Sequence, residues 1–344
     1  MGHRFPASIC ALLILFSTHA AAQDPSSKAT TTSAAHWTPP RTPDGQPDLQ
    51  GIWTNATLTP LERPKEFAAK PVLSEAEAVE FQKRLIENDD RDRRDGSAQK
   101  DLNRAYNDSW FERGTSIAGG RRTSLIVDPP DGRVPALTPA AQAKLNDAIA
   151  YAKAHPADGP EDRPLAERCL LWPTAGPPML PGAYNNNYEI VQAPGYVAIA
   201  IEMIHDVRII PTGGPTDGRA HLPSSVRQWL GDSVGHWDGD TLVVETTNFT
   251  DKTSDVGAGM VRSTFRGSDD QMRLIERFTR VSPDTILYEF TVDDPTAFTK
   301  PWTAQIPMTR SPGPLYEYAC HEGNYAMTSV LTGARAEEKK EAGK

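Results

Sequence analysis

The sequence predicts a mainly β protein: an antiparallel up-and-down β-barrel, lipocalin-like in outline, with an extended N-terminal arm and two helices. Three observations lead there. From about residue 184 onward apolar and polar side chains alternate, the period of strands with one buried face. That stretch is cut by turn sequences such as Asp238-Gly239 and Ser282-Pro283-Asp284, which join successive strands as hairpins. Helix start signals stand at two places upstream. A β-sandwich is the alternative packing of the same strands.

The 344-residue chain opens with Arg4, an apolar run over residues 7–16, and Ala20-Ala21-Ala22 ahead of Gln23. This is the pattern of a cleavable secretory signal over residues 1–22. The run is about half the roughly 20 residues that span a bilayer, and Cys10 stands at its start rather than in a lipobox at its end. Residues 23–35, rich in Ser, Thr and Ala, read as a flexible leader. A single β-rich domain is expected over residues 36–335, then a charged, disordered tail over 336–344. Residues 37–71 place proline after proline around Gly51-Ile52-Trp53, which suits neither a helix nor a central strand. They read as an arm laid along the body.

Ser74 and Glu77 make a capping box ahead of a helix over about residues 78–88. Thr138 caps a second, with Pro139 at its first position and Leu145, Ile149 and Ala152 at helical spacing. Between them, 123–128 and 133–137 read as a short hairpin. Further hairpins are expected over 187–192 with 196–210, 233–237 with 241–249, 273–281 with 285–292, and 302–309 with 315–320. A meander of about eight strands loses its unpaired edges by closing on itself.

Composition narrows the function. The net charge of −9 becomes −10 when Arg4 leaves with a signal that holds no Asp or Glu. An acidic surface repels nucleic acid. The expected partner is a small-molecule ligand or substrate, with no nucleic acid and no membrane span; the expected location is the periplasm or the medium. Of three cysteines, Cys169 and Cys320 survive cleavage. In an oxidising compartment they read first as a disulfide, worth about 4–5 kcal/mol in the chain-entropy picture. Two buried thiols or one reactive thiol are the alternatives.

Phosphate loops, dinucleotide fingerprints, Gly-x-Ser-x-Gly elbows and His-Glu-x-x-His helices are all absent, so no cofactor is expected. Four weaker constellations remain. In the first, unbroken alternation puts Val197, Ile199, Ile201, Met203, His205, Val207 and Ile209 on the interior face. Glu202, Asp206 and Arg208 then fall outside, where Glu202 and Arg208 can pair. His205 is then either a core histidine or a pocket residue. The second is His221 in a long loop, followed by Arg227, Trp229 and Asp232; its plain alternative is an exposed loop histidine. The third is His321-Glu322 beside Cys320, either a positioned acid/base pair or polar caps on a strand end. The fourth runs from Asn107 through Trp110 to Arg113, suited to a ring-bearing or sugar-like ligand, with Asn187 adding an amide; ordinary packing of the arm is the alternative. No metal is expected, since no two of the histidines stand three or four apart; a divalent ion, if bound, would sit on His205, His221 and His321.

Residues 42–53 (Thr-Pro-Asp-Gly-Gln-Pro-Asp-Leu-Gln-Gly-Ile-Trp), 203–211, 237–249 and 316–325 resemble the motifs of a family of exported bacterial proteins. The resemblance covers nearly all of the mature chain. It implies export and a shared fold, and brings no activity or catalytic residue with it.

The sequence therefore points to a cofactor-independent enzyme doing acid/base chemistry (lyase, isomerase or hydrolase) on a small organic, aromatic or glycosidic molecule. His205 or His321 would be the base and Glu322 its partner, with Arg208 or Arg113 holding negative charge. A periplasmic binding or carrier module is the alternative, and an envelope protein without a pocket a third. The enzyme requires these groups to gather around a cavity.

Overall fold

The predicted barrel is present, and its strands follow one another around it in sequence order. In this computed structural model the described residues are 37–93, 96–99, 107–213, 220–252, 256–257, 260–261 and 270–343; the expected signal and leader lie outside them. The strands are β1 (Gly51–Thr54), β2 (Ile126–Asp128), β3 (Asn187–Ala193), β4 (Tyr196–Ile201), β5 (Val207–Pro211), β6 (Asp232–Asp238) and β7 (Thr241–Thr247). A two-stranded piece, β8 (Val256–Gly257) with β9 (Met260–Val261), stands off the barrel, and β10 (Arg273–Ser282), β11 (Thr285–Asp293) and β12 (Trp302–Arg310) complete it. The helices are α1 (Glu75–Asp89), α2 (Pro139–Ala154) and α3 (Ala326–Ala342).

Around the wall the order is β5-β4-β3-β1-β12-β11-β10-β7-β6, each neighbouring pair antiparallel. An odd number of strands cannot alternate all the way round. β5 and β6 therefore run the same way, and no ladder joins them. A parallel neighbour cannot be reached through a tight hairpin, which is why residues 212–231 form a long connection. The barrel is left with one seam, between β5 and β6.

Among the described residues the interior is filled by side chains. Trp53, Trp302, Tyr188, Tyr288, Phe278 and Phe290 are all fully buried in it, and the rings of Phe278, Tyr288, Phe290 and Trp302 pack edge-on or tilted in a row along β10, β11 and β12. One end is capped by the N-terminal arm: Leu49 N donates to Gln192 Oε1 (2.7 Å), Gln192 Nε2 to Pro47 O (3.0 Å) and Arg280 Nη1 to Asp48 O (2.8 Å). The other is plugged by residues 172–183, where Met179 N donates to the Tyr288 hydroxyl (3.1 Å) and the Tyr188 hydroxyl to Ala175 O (3.3 Å).

Both helix starts stand as the sequence predicts. Ser74 N donates to Glu77 Oε2 (2.9 Å) and Glu77 N to Ser74 Oγ (3.4 Å), closing the capping box. Thr138 Oγ1 accepts from Ala141 N at 3.1 Å, with Pro139 beginning α2. Cys169 and Cys320 form a disulfide, their Cα atoms 5.7 Å apart.

Several expectations are corrected. Gly51–Thr54 is a central strand between β3 and β12, because the prolines that argued against it, Pro47 and Pro60, flank the four paired residues rather than interrupt them. Gly51 is required there: its φ is +121°, and a Cβ would meet Arg310 Nη1 at 2.7 Å. β2 pairs with β12, not with residues 133–137. Residues 315–320 are not a strand; 311–325 run as an irregular strap. The charged end is helical as α3, and Arg335 ties it to Asp158 O (2.7 Å) and Ala157 O (3.0 Å). The sequence between β4 and β5 is likewise not one strand, and this break sets the site.

Candidate functional site at the barrel seam

Residues 202–206 interrupt the alternation. Glu202, buried, accepts from Asn187 N (3.3 Å), Asn187 Nδ2 (2.8 Å) and Tyr316 N (3.1 Å), so it does not pair with Arg208. Ile204 and His205 then take φ of +68° and +53°, a region that costs a β-branched residue about 1–3 kcal/mol. The turn places an odd number of steps between Ile201 and Arg208, so the parity of β5 inverts. Arg208 and Ile210 point inward, while Val207 and Ile209 are 52 % and 59 % exposed.

His205 is accordingly exposed instead of interior, with Nδ1 3.0 Å from Tyr318 O. A carbonyl only accepts, so Nδ1 carries the proton and the neutral ring keeps its lone pair on Nε2. Beside it Asp206 is half-buried. Burial pushes its carboxyl above the ordinary range, with His205 acting the other way.

Along the seam opens a cleft of about 620 Å³. Asp206, Val207, Arg208 and Ile209 form one wall, residues 227–233 the other, and Leu170, next to the disulfide, lies at its edge. Gly231, at φ +68°, lets the second wall approach β7; a Cβ there would meet Thr246 Cγ2 and Thr247 O at 2.7 Å. Trp229 offers a ring to the cleft, and Arg227 is steadied by Asp270 O at 2.5 Å. On this wall Asp232 Oδ2 accepts from Leu222 N and lies against His221 Nδ1, both at 2.8 Å. His221 Nε2 is 3.7 Å from Glu245 Oε1, and Glu245 is also paired with Arg273 at 2.5 Å.

Under the cleft lies a buried ion pair. Arg208 Nη1 donates to Glu276 Oε1 (3.0 Å) and Nη2 to Glu276 Oε2 (2.5 Å), Ser233 Oγ (3.1 Å) and Thr246 Oγ1 (3.3 Å). The Tyr288 hydroxyl donates to Glu276 Oε1 at 2.8 Å. Burial works against the Arg208 charge, yet Glu276 outweighs it and raises the guanidinium above its usual value. Burial, then Glu276, likewise hold the Tyr288 phenol well above the ordinary tyrosine range.

The structure thus gathers some of the predicted residues and not others. Arg208 and Trp229 line the seam cleft; His205 and His221 flank it, each one residue or one hydrogen bond from a carboxylate in its wall. His321 and Glu322 are exposed on the strap past Cys320 and line neither this cleft nor the one holding Arg113 and Asn187. That second cleft, about 430 Å³, lies beside α1. Near it Asn107 accepts from Ser109 Oγ at 2.7 Å, and Trp110 is 66 % exposed. Among the described residues no three His, Cys, Asp or Glu side chains are placed to hold a metal ion, so His205, His221 and His321 do not form one site. The sequence carries one signal for this pair: Glu276 alternates with the apolar Leu274 and Phe278, which marks a charge pointing inward. No described helix is long and apolar enough to cross a membrane.

No family model, curated protein or solved structure matches the chain.

Proposed function

We propose that this is an exported enzyme that needs no cofactor and carries out acid/base chemistry on a small aromatic or glycosidic molecule in the seam cleft. The carrying observation is the His221–Asp232 contact at 2.8 Å in the wall of a 620 Å³ cleft whose other wall holds Asp206. That size suits a small substrate. A carboxylate against Nδ1 orients an imidazole for proton transfer. Burial favours the protonated form of Asp206, the form that donates to a leaving oxygen. Trp229 would stack on a ring and Arg227 would meet developing negative charge. The Cys169–Cys320 disulfide supports an oxidising compartment.

The test is turnover of a panel of aryl glycosides and phenolic esters by the purified chain, with His221→Ala and Asp206→Asn variants and His205→Ala and His321→Ala as comparisons. The first two are expected to lower kcat/KM by about 100-fold or more with unchanged circular dichroism. Full activity in both would overturn the assignment. A carrier is the second reading, favoured by one observation: neither imidazole itself lines the cleft. It requires ligand retention without turnover, weakened by Trp229→Ala.

A further inference from the structure

A second groove lies beside α1. The cleft of about 430 Å³ is lined by Thr54, Phe111, Arg113, Thr115, Asn187 and Ser311, with Asp89, Asp108 and Glu112. A neighbouring cleft of about 410 Å³ is lined mostly by hydrocarbon, including Leu61, Leu85 and Leu180. The two share Leu58, Asp89 and Arg113. They are one groove, polar at one end and apolar at the other, with Arg113 at its waist, and it shares no lining residue with the seam cleft.

Arg113 is built in place. Gly114, at φ +80°, brings the backbone so close to the chain leaving β1 that a Cβ would meet Ala56 C and O at 2.9 Å. Glu112 N donates to Ala183 O and Leu58 N to Ser116 O, fixing the backbone on both sides. The guanidinium lies 4.0 Å over the Phe111 ring, and its Nη1 donates to Asp108 Oδ1 at 3.1 Å. Its Nη2 is buried and has no hydrogen-bond partner. A buried donor left unsatisfied is costly, and an acceptor oxygen on a ligand removes that cost.

The rest of the groove decides which ligand. Three carboxylates against the guanidinium of Arg113 and that of Arg91, 5.0 Å over the same Phe111 ring, leave the site net negative and disfavour an anion. Hydroxyl, amide and carboxylate groups beside Phe111 suit a ligand carrying several hydroxyls, each both donor and acceptor. The leucines of the other half require a hydrocarbon or aromatic portion. We infer that this groove is a binding site for a neutral amphiphile of the aryl glycoside class, its sugar in the Arg113–Asn187 half and its aryl group among Leu61, Leu85 and Leu180. This would be a holding site distinct from the seam.

Isothermal titration of the purified chain with phenyl β-glucoside tests it. Binding in about the millimolar range or tighter is expected. Arg113→Ala should weaken it about ten-fold, by loss of a charged hydrogen bond. Ile86→Trp, at a half-exposed position on the same wall, fills the polar half without touching the core and should weaken it at least as much. Titrated in a Trp229→Ala background, which removes any contribution of the seam, the Arg113-dependent binding should persist, so this inference can fail independently of the enzymatic one. No binding, binding indifferent to both Arg113→Ala and Ile86→Trp, or tighter binding of benzoate than of the glycoside would each overturn the proposal.

Discussion

Replacing Glu276 by Gln keeps the volume of the side chain and removes the negative charge from the middle of the barrel. Arg208 would retain Ser233 and Thr246 on Nη2, but Nη1 would lose its carboxylate partner, and Nε is already buried without one. Unsatisfied buried donors cost about 1–3 kcal/mol apiece, and a buried pair broken on one side typically loses about 3–5 kcal/mol. Since only Nη1 newly loses its partner, the two ranges meet at about 3 kcal/mol. With an m-value of about 3 kcal/mol/M in urea for a chain of this size, the midpoint should fall by about 1 M. Burial of Trp53 and Trp302 makes tryptophan fluorescence the natural probe. The double replacement Arg208→Met with Glu276→Leu should recover most of the loss, since hydrocarbon of similar size needs no partner. A Glu276→Gln midpoint within about 0.3 M of the parent at equal m, or a double variant less stable than either single, would refute the view that charge compensation holds this layer together.

Further outcomes follow from the same geometry. Cys169→Ala with Cys320→Ala should lower stability by about 5 kcal/mol for a separation of 151 residues, read as the shift of the thermal midpoint against the oxidised parent. Gly231→Ala, with a Cβ 2.7 Å from Thr247 O at a positive φ, should cost more than about 1 kcal/mol in urea melts. Ser74→Ala should cost about 1 kcal/mol by loss of the helix cap. The Glu77 carboxyl is held at about 2, first by its hydrogen bond to Lys70 and then by Ser74, against 4.5 for a free side chain. A folded value below the unfolded one means its contribution is complete above pH 4.5 and drains away as the pH falls toward 2. Glu77→Gln should flatten the stability profile in that window and should cost stability near neutrality, where the contribution is complete, with the difference from the parent vanishing toward pH 2.

Local patterns were legible wherever neighbours along the chain decide the outcome. The capping box at Ser74 and Glu77, Thr138 with Pro139, and the turns at 238–239 and 282–284 all read directly, because caps and hairpins depend on adjacent residues. The up-and-down closure followed from the run of hairpins. Three things were not legible: β1, whose partners are distant in sequence; the pairing of β2 with β12; and the orientation of His205 and Arg208. Alternation fixes a face only while the strand continues, and the left-handed turn at Ile204 and His205, stabilised by Glu202 from within, ends it.

The amino-acid order by itself determined the strand content, the helix starts and the cysteines available for a bridge, since each depends on short-range stereochemistry. Only the tertiary structure decided where the barrel stays open. Nine strands cannot all alternate in direction, so β5 and β6 meet unpaired. The resulting seam, rather than a central cavity filled by aromatic rings, holds the candidate chemistry.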